Sequence, residues 1–539
     1  MVVERQTSFS GGMVDTAADG RLPADSYLFA QNLDLVGGRL VSRPRLVDVR
    51  ARPLGMETIR NIGLFRFSGS SLGDCLFFIE HNYMVDSFAF CGYLVDASGV
   101  DLGIVRIDFP DLSGAGDGLF YGSESEPLAP HYVALQVGGV AYVWVTRGGA
   151  GYVFRWDGTV AGSPVPKGAF ERLSTEYGTA DYIPPCRAAL YAYGRVWLAV
   201  ETGAGEVYSS VVASEPVDNT GVSKLVFDAA LKVDCGLGGS DDILGMAALG
   251  GGRIVAFKRN SVWLLSGCDR ESKKIVVECI DADHGCVGHS AFVVFDQGCW
   301  FISDDGIRAV DLSGRAARVP VSQPISGFWK RTVWQAEPSP LVSAVVFGDK
   351  LLFSVFVDYD FNSAMLVYSL SGACWVGIWR QDGMECLGLF VGDVPTGREL
   401  KMLGSDCSLR AFSLTEPMLF SHSSAGALVS RPFVCGEAWA AKMFTAGSVT
   451  LLSTGRYGSE EIPLMLGLYS ECPISKVSKT HLAGAVVDVD AFPTFRTFIG
   501  RLLRSCCLSL LFVRGAVEIF ALSARSSAKQ GFPNLRMGL

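Results

Sequence analysis

Short runs of β-branched and aromatic residues recur along most of this chain, and each run ends at glycine, aspartate, asparagine or serine. Runs bounded in this way by turn-forming residues are typical of β-strands. Clear examples are VAYVWVT (140–146), RVWLAVE (195–201), RIVAFKR (253–259), KLLFSVFVD (350–358) and LVYSL (366–370). Helical periodicity is scarce; its best case is PADSYLFAQN (23–32), where Asp25 or Ser26 is expected to cap a turn or two of helix. The pattern therefore predicts an all-β protein.

The strand runs form a repeated unit: a glycine or turn, an apolar strand, a polar turn, and a second strand that closes on glycine or serine. Turn pairs that accept positive φ recur in the same part of the chain: Asp157-Gly158, Asp305-Gly306, Gly348-Asp349 and Asp382-Gly383. The units occupy 72–99, 139–158, 194–216, 251–267, 297–314, 349–379 and 397–415. Four-stranded repeats of about 40 to 50 residues suggest propeller blades. We therefore predict a β-propeller of six or seven blades over residues 55–420, with a long series of β-sandwiches as the alternative.

The two ends of the chain do not follow the repeat. Residues 1–54 contain glycine pairs and an Arg-Pro step but no hydrophobic run that would begin a domain, which predicts an extended N-terminal arm. Near the other end, apolar stretches at 433–469 and 505–526 flank a glycine-poor link around 473–500. These stretches predict a separate, β-sandwich-like C-terminal domain over residues 421–539.

Composition limits the classes of function. The chain has 539 residues, of which 49% are hydrophobic and 19% charged, so large buried cores are expected. The net charge of −9 is spread thinly, with no basic stripe of the kind that grips nucleic acid. An acidic surface repels phosphates, so it would let DNA pass without binding it.

Neither a membrane span nor a signal peptide is expected. The most apolar long stretch, 502–522, is interrupted by Arg504, Arg514 and Glu518, and charges are costly inside a bilayer. At the other end, Glu4 and Arg5 stand where the apolar core of a signal peptide would begin. We expect a soluble protein made in a cytoplasm.

The cysteines are expected to fill cores as reduced thiols. They number 15, are scattered, and are mostly embedded in apolar strands such as GACWVGIW. Free cysteine packs as a small hydrophobe, and a cytosol keeps it reduced.

One local cluster contains residue types that zinc accepts: Cys279, His284, Cys286 and His289 in CIDADHGCVGHS. Its spacings match no common structural zinc module. The favoured interpretation makes Gly285 and Gly288 turn formers between strands, with the two histidines at the surface, and no metal is expected.

No motif supports catalysis. The SDDG at 303–306 is similar to the Asp-box turn of sialidase-type propellers but lacks its spacing, and a hairpin turn is favoured. A glycosidase would need two opposed carboxylates, which sequence cannot locate here. The GGGR at 250–253 lacks the Gly-Lys-Ser/Thr ending of a phosphate loop, and no Gly-x-Ser-x-Gly elbow occurs. We expect no enzyme activity and no cofactor.

A family resemblance rests on the leader and on three later segments. The leader carries Phe9-Ser10-Gly11-Gly12, Leu22-Pro23, Asn32-Leu33-Asp34, Gly38-Arg39-Leu40 and Arg43-Pro44 in order. It resembles the opening of the propeller-bearing tail-nozzle or tail-stabilisation proteins of short-tailed bacteriophages, although Arg45 stands where those proteins usually have glycine. Segments 284–311, 320–325 and 363–379 resemble the blades of the same family. The resemblance covers about 350 residues and excludes the C-terminal domain.

The resemblance implies a structural protein of the virion tail. Copies would form a ring, sixfold in this family, below the portal and its adaptor, and DNA would pass through the channel without sequence-specific binding. We expect subunit contacts at Phe9, Gly12, Asn32, Arg39, Arg43 and Pro44. A tight hairpin at Gly37-Gly38 and the planar guanidinium of Arg43 suit either docking to a neighbour or closure of the propeller by a last outer strand. Both alternatives stay open.

Two other functions are compatible with the sequence. A glycan-degrading propeller would show two carboxylates within about 5–10 Å at the hub of the blades. A receptor-binding tail module would show exposed aromatic patches on the C-terminal domain.

Overall fold

A computed structural model gives the fold. It describes residues 2–15, 22–50, 58–66, 72–82, 87–96, 101–108, 131–147, 150–157, 159, 168–179, 182–202, 207–217, 225–236, 241–271, 274–330, 342–357, 360–380, 386–394, 397–404, 409–418, 420, 425–433, 435, 442–453, 464–469, 483–485, 494–503, 507–512 and 517–527. Helix in these residues is limited to one 3-10 turn, Gln323–Ile325, and α1, Ser326–Trp329. The prediction of an all-β protein is confirmed.

Strands make up most of the described chain. The first twenty are β1 (Val2–Gln6), β2 (Gly12–Met13), β3 (Ser26–Gln31), β4 (Leu33–Val36), β5 (Arg39–Ser42), β6 (Pro44–Arg50), β7 (Thr58–Arg66), β8 (Leu72–Asn82), β9 (Ser87–Asp96), β10 (Asp101–Asp108), β11 (His131–Val137), β12 (Val140–Arg147), β13 (Ala150–Trp156), β14 (Gly168–Ala169), β15 (Glu171–Leu173), β16 (Ala188–Ala192), β17 (Arg195–Val200), β18 (Ser210–Ser214), β19 (Phe227–Asp234) and β20 (Ile243–Gly250). The others are β21 (Arg253–Lys258), β22 (Val262–Ser266), β23 (Val276–Asp281), β24 (Phe292–Phe295), β25 (Gly298–Ser303), β26 (Gly306–Asp311), β27 (Ala344–Phe347), β28 (Lys350–Val357), β29 (Asp360–Ser369), β30 (Cys374–Arg380), β31 (Cys386–Val394), β32 (Gly397–Gly404), β33 (Leu409–Pro417), β34 (Gly426–Ser430), β35 (Lys442–Ser453), β36 (Leu464–Tyr469), β37 (Ala483–Ala485), β38 (Thr494–Leu503), β39 (Cys507–Phe512) and β40 (Val517–Ser527).

Seven small antiparallel sheets follow one another along the chain. Their strand orders are β7-β8-β9-β10 (sheet I), β11-β12-β13-β15 (II), β16-β17-β18-β19 (III), β20-β21-β22-β23 (IV), β24-β25-β26 (V), β27-β28-β29-β30 (VI) and β31-β32-β33-β6 (VII). The seven repeat units of the sequence each cover the second and third strands of one sheet, and in sheet VI also the fourth. The repeat in the sequence is therefore a repeat of the structure.

The first strands of the seven sheets contact one another in a closed succession. β7 contacts β11, β11 contacts β16, and the contacts continue through β20, β24 and β27 to β31. Strand β31 in turn contacts β7, so the last sheet meets the first.

Neighbouring sheets pack face to face through alternate residues of one strand. On β17, Val196 and Leu198 are buried in a cluster with Trp144 of sheet II. Their sequence neighbours Trp197 and Ala199 are buried in a different cluster, with residues of sheet IV. Successive side chains of a strand point to opposite faces of its sheet. One continuous apolar run in β17 can therefore pack against sheet II on one face and sheet IV on the other.

Several turn and cysteine predictions are confirmed. Gly37-Gly38 joins β4 to β5 with both φ values positive, and Gly348-Asp349 joins β27 to β28. At Asp305-Gly306 the two-residue turn is shifted by one position to Asp304-Asp305, and Gly306 begins β26. The pairs Asp157-Gly158 and Asp382-Gly383 lie wholly or partly outside the described residues. The ten cysteines whose side chains the structure describes are free thiols, and nine of these are buried.

The strands of the first 42 residues belong to sheets built mainly from the other end of the chain. β1, β4 and β5 join β35, β38 and β40 in one sheet. β3 pairs with β30 on one side and β34 on the other, which extends sheet VI through β39 and β36 to β37.

The expected helical turn at 23–32 is wrong, because the stretch forms strand β3. Tyr27 and Ala30 are fully buried, and the backbone pairs with β34 from Tyr27 to Gln31. Ser26 caps no helix; its hydroxyl donates to the Pro23 carbonyl oxygen at 2.9 Å. Pairing with distant strands has overridden a weak local preference.

Candidate functional site

Asn32 lies where β3 turns into β4, and it is fully buried with a φ of 57°. Its Oδ1 accepts from the Arg43 Nε at 2.9 Å and from the Arg380 amide at 2.7 Å. Its Nδ2 donates to the Ala425 carbonyl oxygen at 2.9 Å. Asparagine tolerates this left-handed conformation better than most residues and also supplies both a donor and an acceptor.

Arg43 is 1% exposed and completes this arrangement. Its Nη1 donates to the Pro44 carbonyl oxygen at 2.9 Å, and its own carbonyl oxygen accepts from the Met418 amide at 2.7 Å. Burial lowers the pKa of the guanidinium to about 9, which leaves it charged at neutral pH. The charge is held by neutral oxygens of its own chain.

We call Asn32, Arg43 and the backbone groups that they bind the clasp. The clasp joins β3, the end of β30, the segment after β33 and the start of β6. Immediately after it, β6 pairs with β33 and supplies the outer strand of sheet VII. Arg45, which stands where the resembling family has glycine, lies in this strand, and its Nη1 is 3.1 Å from the Glu416 carboxylate.

Phe9 and Gly12 anchor the start of the leader from inside the protein. Phe9 is fully buried, with its ring 6.2 Å from that of Tyr27. Gly12 has a φ of +69°, and a Cβ built on it would lie 2.5 Å from the Trp375 carbonyl oxygen. The leader can therefore approach β30 this closely only with glycine at this position.

Arg39 is placed differently from the other leader residues. Its side chain is 51% exposed, its Nη1 is 3.0 Å from a Glu518 carboxylate oxygen, and its guanidinium lies 4.4 Å from the centre of the Phe520 ring. Pro44 is partly buried at the start of β6.

These placements bear on the expected subunit contacts. The structure brings Asn32, Arg43 and Pro44 together in the clasp and places Phe9 and Gly12 against neighbouring strands of the same chain. Contacts within the same chain are enough to explain the burial of Phe9, Gly12, Asn32 and Arg43. Arg39 differs, because its guanidinium is accessible to solvent. The role of these residues between subunits stays a prediction.

A second feature is an uneven charge distribution over the ends of sheets III to V. In an antiparallel sheet of this kind, one end holds the start of the first strand, the turn between the second and third strands, and the end of the fourth strand. We call this end of sheets III to V the acidic end. Its described carboxylates are Glu201, Asp234, Asp241, Asp242, Asp281, Asp283, Asp304 and Asp305, and its cations are Arg187, Lys232, Lys258, Arg259, Arg308 and Arg318. At the opposite end lie the carboxylates Glu215, Asp269, Glu271, Asp296 and Asp311 and an equal number of cations, Arg195, Arg253, Arg270, Lys274 and Arg315.

Three arginines are already committed to carboxylates at the acidic end. Arg187 lies 2.5 Å from Asp242, and Arg259 lies 2.7 Å from Asp304. The buried Arg308 donates to both oxygens of Asp305 at 2.9 and 2.6 Å. Burial works against ionisation of Asp305, but the bonds from Arg308 outweigh it and lower the pKa of that carboxyl. The acidic end therefore keeps a net negative charge after its internal pairing.

The candidate zinc residues do not share one environment. Cys286 is fully buried and bonded to the Gly288 carbonyl oxygen, while Cys279 is exposed on β23. His284 Nδ1 lies 3.1 Å from Asp281, and His289 Nδ1 lies 2.6 Å from the Leu244 carbonyl oxygen. No group of three or more potential ligands within the described ranges is placed to hold a metal ion. His289 is half-buried rather than at the surface, so that part of the expectation is wrong.

Burial of His289 predicts a loss of stability in mild acid. Burial lowers the pKa of this imidazole from 6.5 to about 4. Between these values the unfolded chain binds a proton that the folded chain does not, so stability falls as pH decreases from 6.5 towards 4. We expect a loss on the order of 2 kcal/mol, measured by urea unfolding across this range. His289→Asn keeps an N–H donor but cannot titrate, and its pH profile should be flatter; an unchanged slope would contradict the assignment.

The first strands of the sheets contain few carboxylates. Strands β7, β11, β16, β20, β24 and β27 carry no aspartate or glutamate within their bounds, and β31 carries Asp393 alone. The opposed pair that a glycan-degrading propeller requires is not found among these strands.

Comparison with known protein families and with curated proteins finds no match for this chain. Among the residues that the structure describes, no helix is long and apolar enough to cross a membrane.

Proposed function

We propose that this chain is a structural subunit of a bacteriophage tail, in which seven blade-like sheets close into a β-propeller. The observation that carries the proposal is the succession of first strands from β7 to β31 and back to β7. A closed succession leaves no free end, and small sheets packed face to face give a rigid body. On this interpretation β6 completes the last blade, so the leader closes the ring of blades.

The tail assignment is further supported by the resemblance of the leader and blades to tail-nozzle proteins. Copies would assemble into a ring, sixfold by that resemblance, beneath the portal and adaptor of the virion tail. The acidic end of sheets III to V would repel phosphates if it lines the passage, so DNA would slide without sticking. The chain would then act through its shape and charge.

Electron microscopy of the purified full-length protein tests this proposal. We expect rings or short tubes with a central hole, and no retention of double-stranded DNA in a low-salt gel-shift assay. Exclusively compact monomers at micromolar concentration would contradict the ring, and tight DNA binding would contradict passage without sticking. Degradation of host surface glycans by the same preparation would favour the enzymatic alternative, and binding to host cells without assembly onto portal complexes would favour a receptor-binding module.

A further inference from the structure

The outer strands of the seven sheets differ in whether another segment covers them. β10 is covered by β14 and β30 by β3. The edge of β26 is covered by the following segment, where Ala316 bridges to Val310. Within the described chain, the outer strands β6, β15, β19 and β23 end their sheets without a further pairing.

Three of these four edges carry features that discourage pairing with another strand. β6 begins at Pro44, carries the exposed Arg45 and Asp48, and pairs with β33 across two irregularities. β15 has three residues, and Glu171 and Arg172 are both exposed. β19 is paired across an irregular register and carries the exposed Lys232. Short length, charge and irregularity are the usual means by which proteins blunt a sheet edge.

β23 is the least protected of the four, with regular pairing over most of its length and one exposed charge, Glu278. Val276 is 56% exposed, and the residues from Val276 to Cys279 pair regularly with β22; the one irregularity falls at Ile280 near the end of the strand. An uncovered, regular edge with an exposed valine offers unpaired backbone donors and acceptors to another strand.

We propose that β23 pairs antiparallel with β23 of a second copy of this chain. The exposed Lys274 precedes the strand, and Asp281 and Asp283 lie at its other end. Antiparallel pairing of two identical strands sets the basic end of one against the acidic end of the other, whereas parallel pairing would set like charges together. The contact is twofold and does not depend on the proposed tail function.

Sedimentation velocity of full-length variants tests this contact. Val276→Glu should weaken self-association at least tenfold, because it sets a carboxylate against the acidic end of the partner strand. The matched control Val319→Glu alters a valine of similar exposure, 53%, outside β23 and should leave association unchanged. Lys274→Glu should also weaken association, and Lys274→Glu combined with Asp283→Lys should restore it.

The outcomes separate this contact from the proposed ring. A wild-type chain that stays monomeric, or association that neither Val276→Glu nor Lys274→Glu weakens, would overturn the β23 pairing. Rings that persist in the Val276→Glu variant while twofold pairing of copies is lost would support both proposals. Circular dichroism confirms that each variant is folded before its association is scored.

Discussion

Replacing Asn32 by alanine is expected to destabilise the protein by about 4 kcal/mol or more. The change removes the acceptor of the Arg43 Nε and of the Arg380 amide, and it removes the bond to the Ala425 carbonyl oxygen. A buried donor left without its acceptor costs about 1–3 kcal/mol, more where it is charged, and alanine adds strain at a φ of 57°. Urea unfolding followed by tryptophan fluorescence measures the loss.

Two matched variants separate the clasp from a general loss of hydrogen bonds. Gln31→Ala removes a bond to the same Ala425 oxygen, at 3.2 Å, without touching Arg43, and should cost about 1 kcal/mol. Asn32→Asp keeps both acceptor roles and adds a counter-charge for Arg43, so it should be milder than Asn32→Ala. If Asn32→Ala proved no worse than Gln31→Ala, the clasp would not be an energetic centre.

The repeat of strands could be predicted from sequence because it depends on local properties. A strand buried on both faces is apolar throughout, so VAYVWVT is recognisable as a strand. A tight turn favours glycine or aspartate, so Gly348-Asp349 is recognisable as a turn. Covering of the last sheet by β6 could only be proposed as one alternative, since the pairing of Pro44–Arg50 with β33 joins residues more than 350 positions apart. A different long-range pairing, that of β3 with β34, makes 23–32 a strand where the local sequence predicts a helix.

The clasp could not be predicted from sequence for a related reason, since its partners are distant along the chain. The family resemblance predicts that Asn32, Arg43 and Pro44 contact another subunit, and the sequence holds no sign that Ala425 and Met418 would meet them. A buried arginine without a carboxylate partner is rare enough that an exposed role was the simpler expectation. The charge bias of the acidic end is predictable from the sequence, because the repeat shows which turns share one end and Asp and Glu are concentrated in those turns.

Substituting Gly12 by alanine should destabilise the protein by about 3 kcal/mol, and Gly37→Ala supplies the comparison that explains why. Both glycines have positive φ, +69° and +57°, so alanine is strained by about 1–2 kcal/mol at either position. A Cβ at Gly37 meets nothing within 4 Å, whereas at Gly12 it would lie 2.5 Å from the Trp375 oxygen and 2.7 Å from the Cys374 Cβ. The leader must then move away from β30, which loosens the buried Phe9 and adds the cost of overpacking. Equal losses in the two variants, measured by urea unfolding, would show that backbone strain alone acts at Gly12 and that the close approach to β30 contributes nothing.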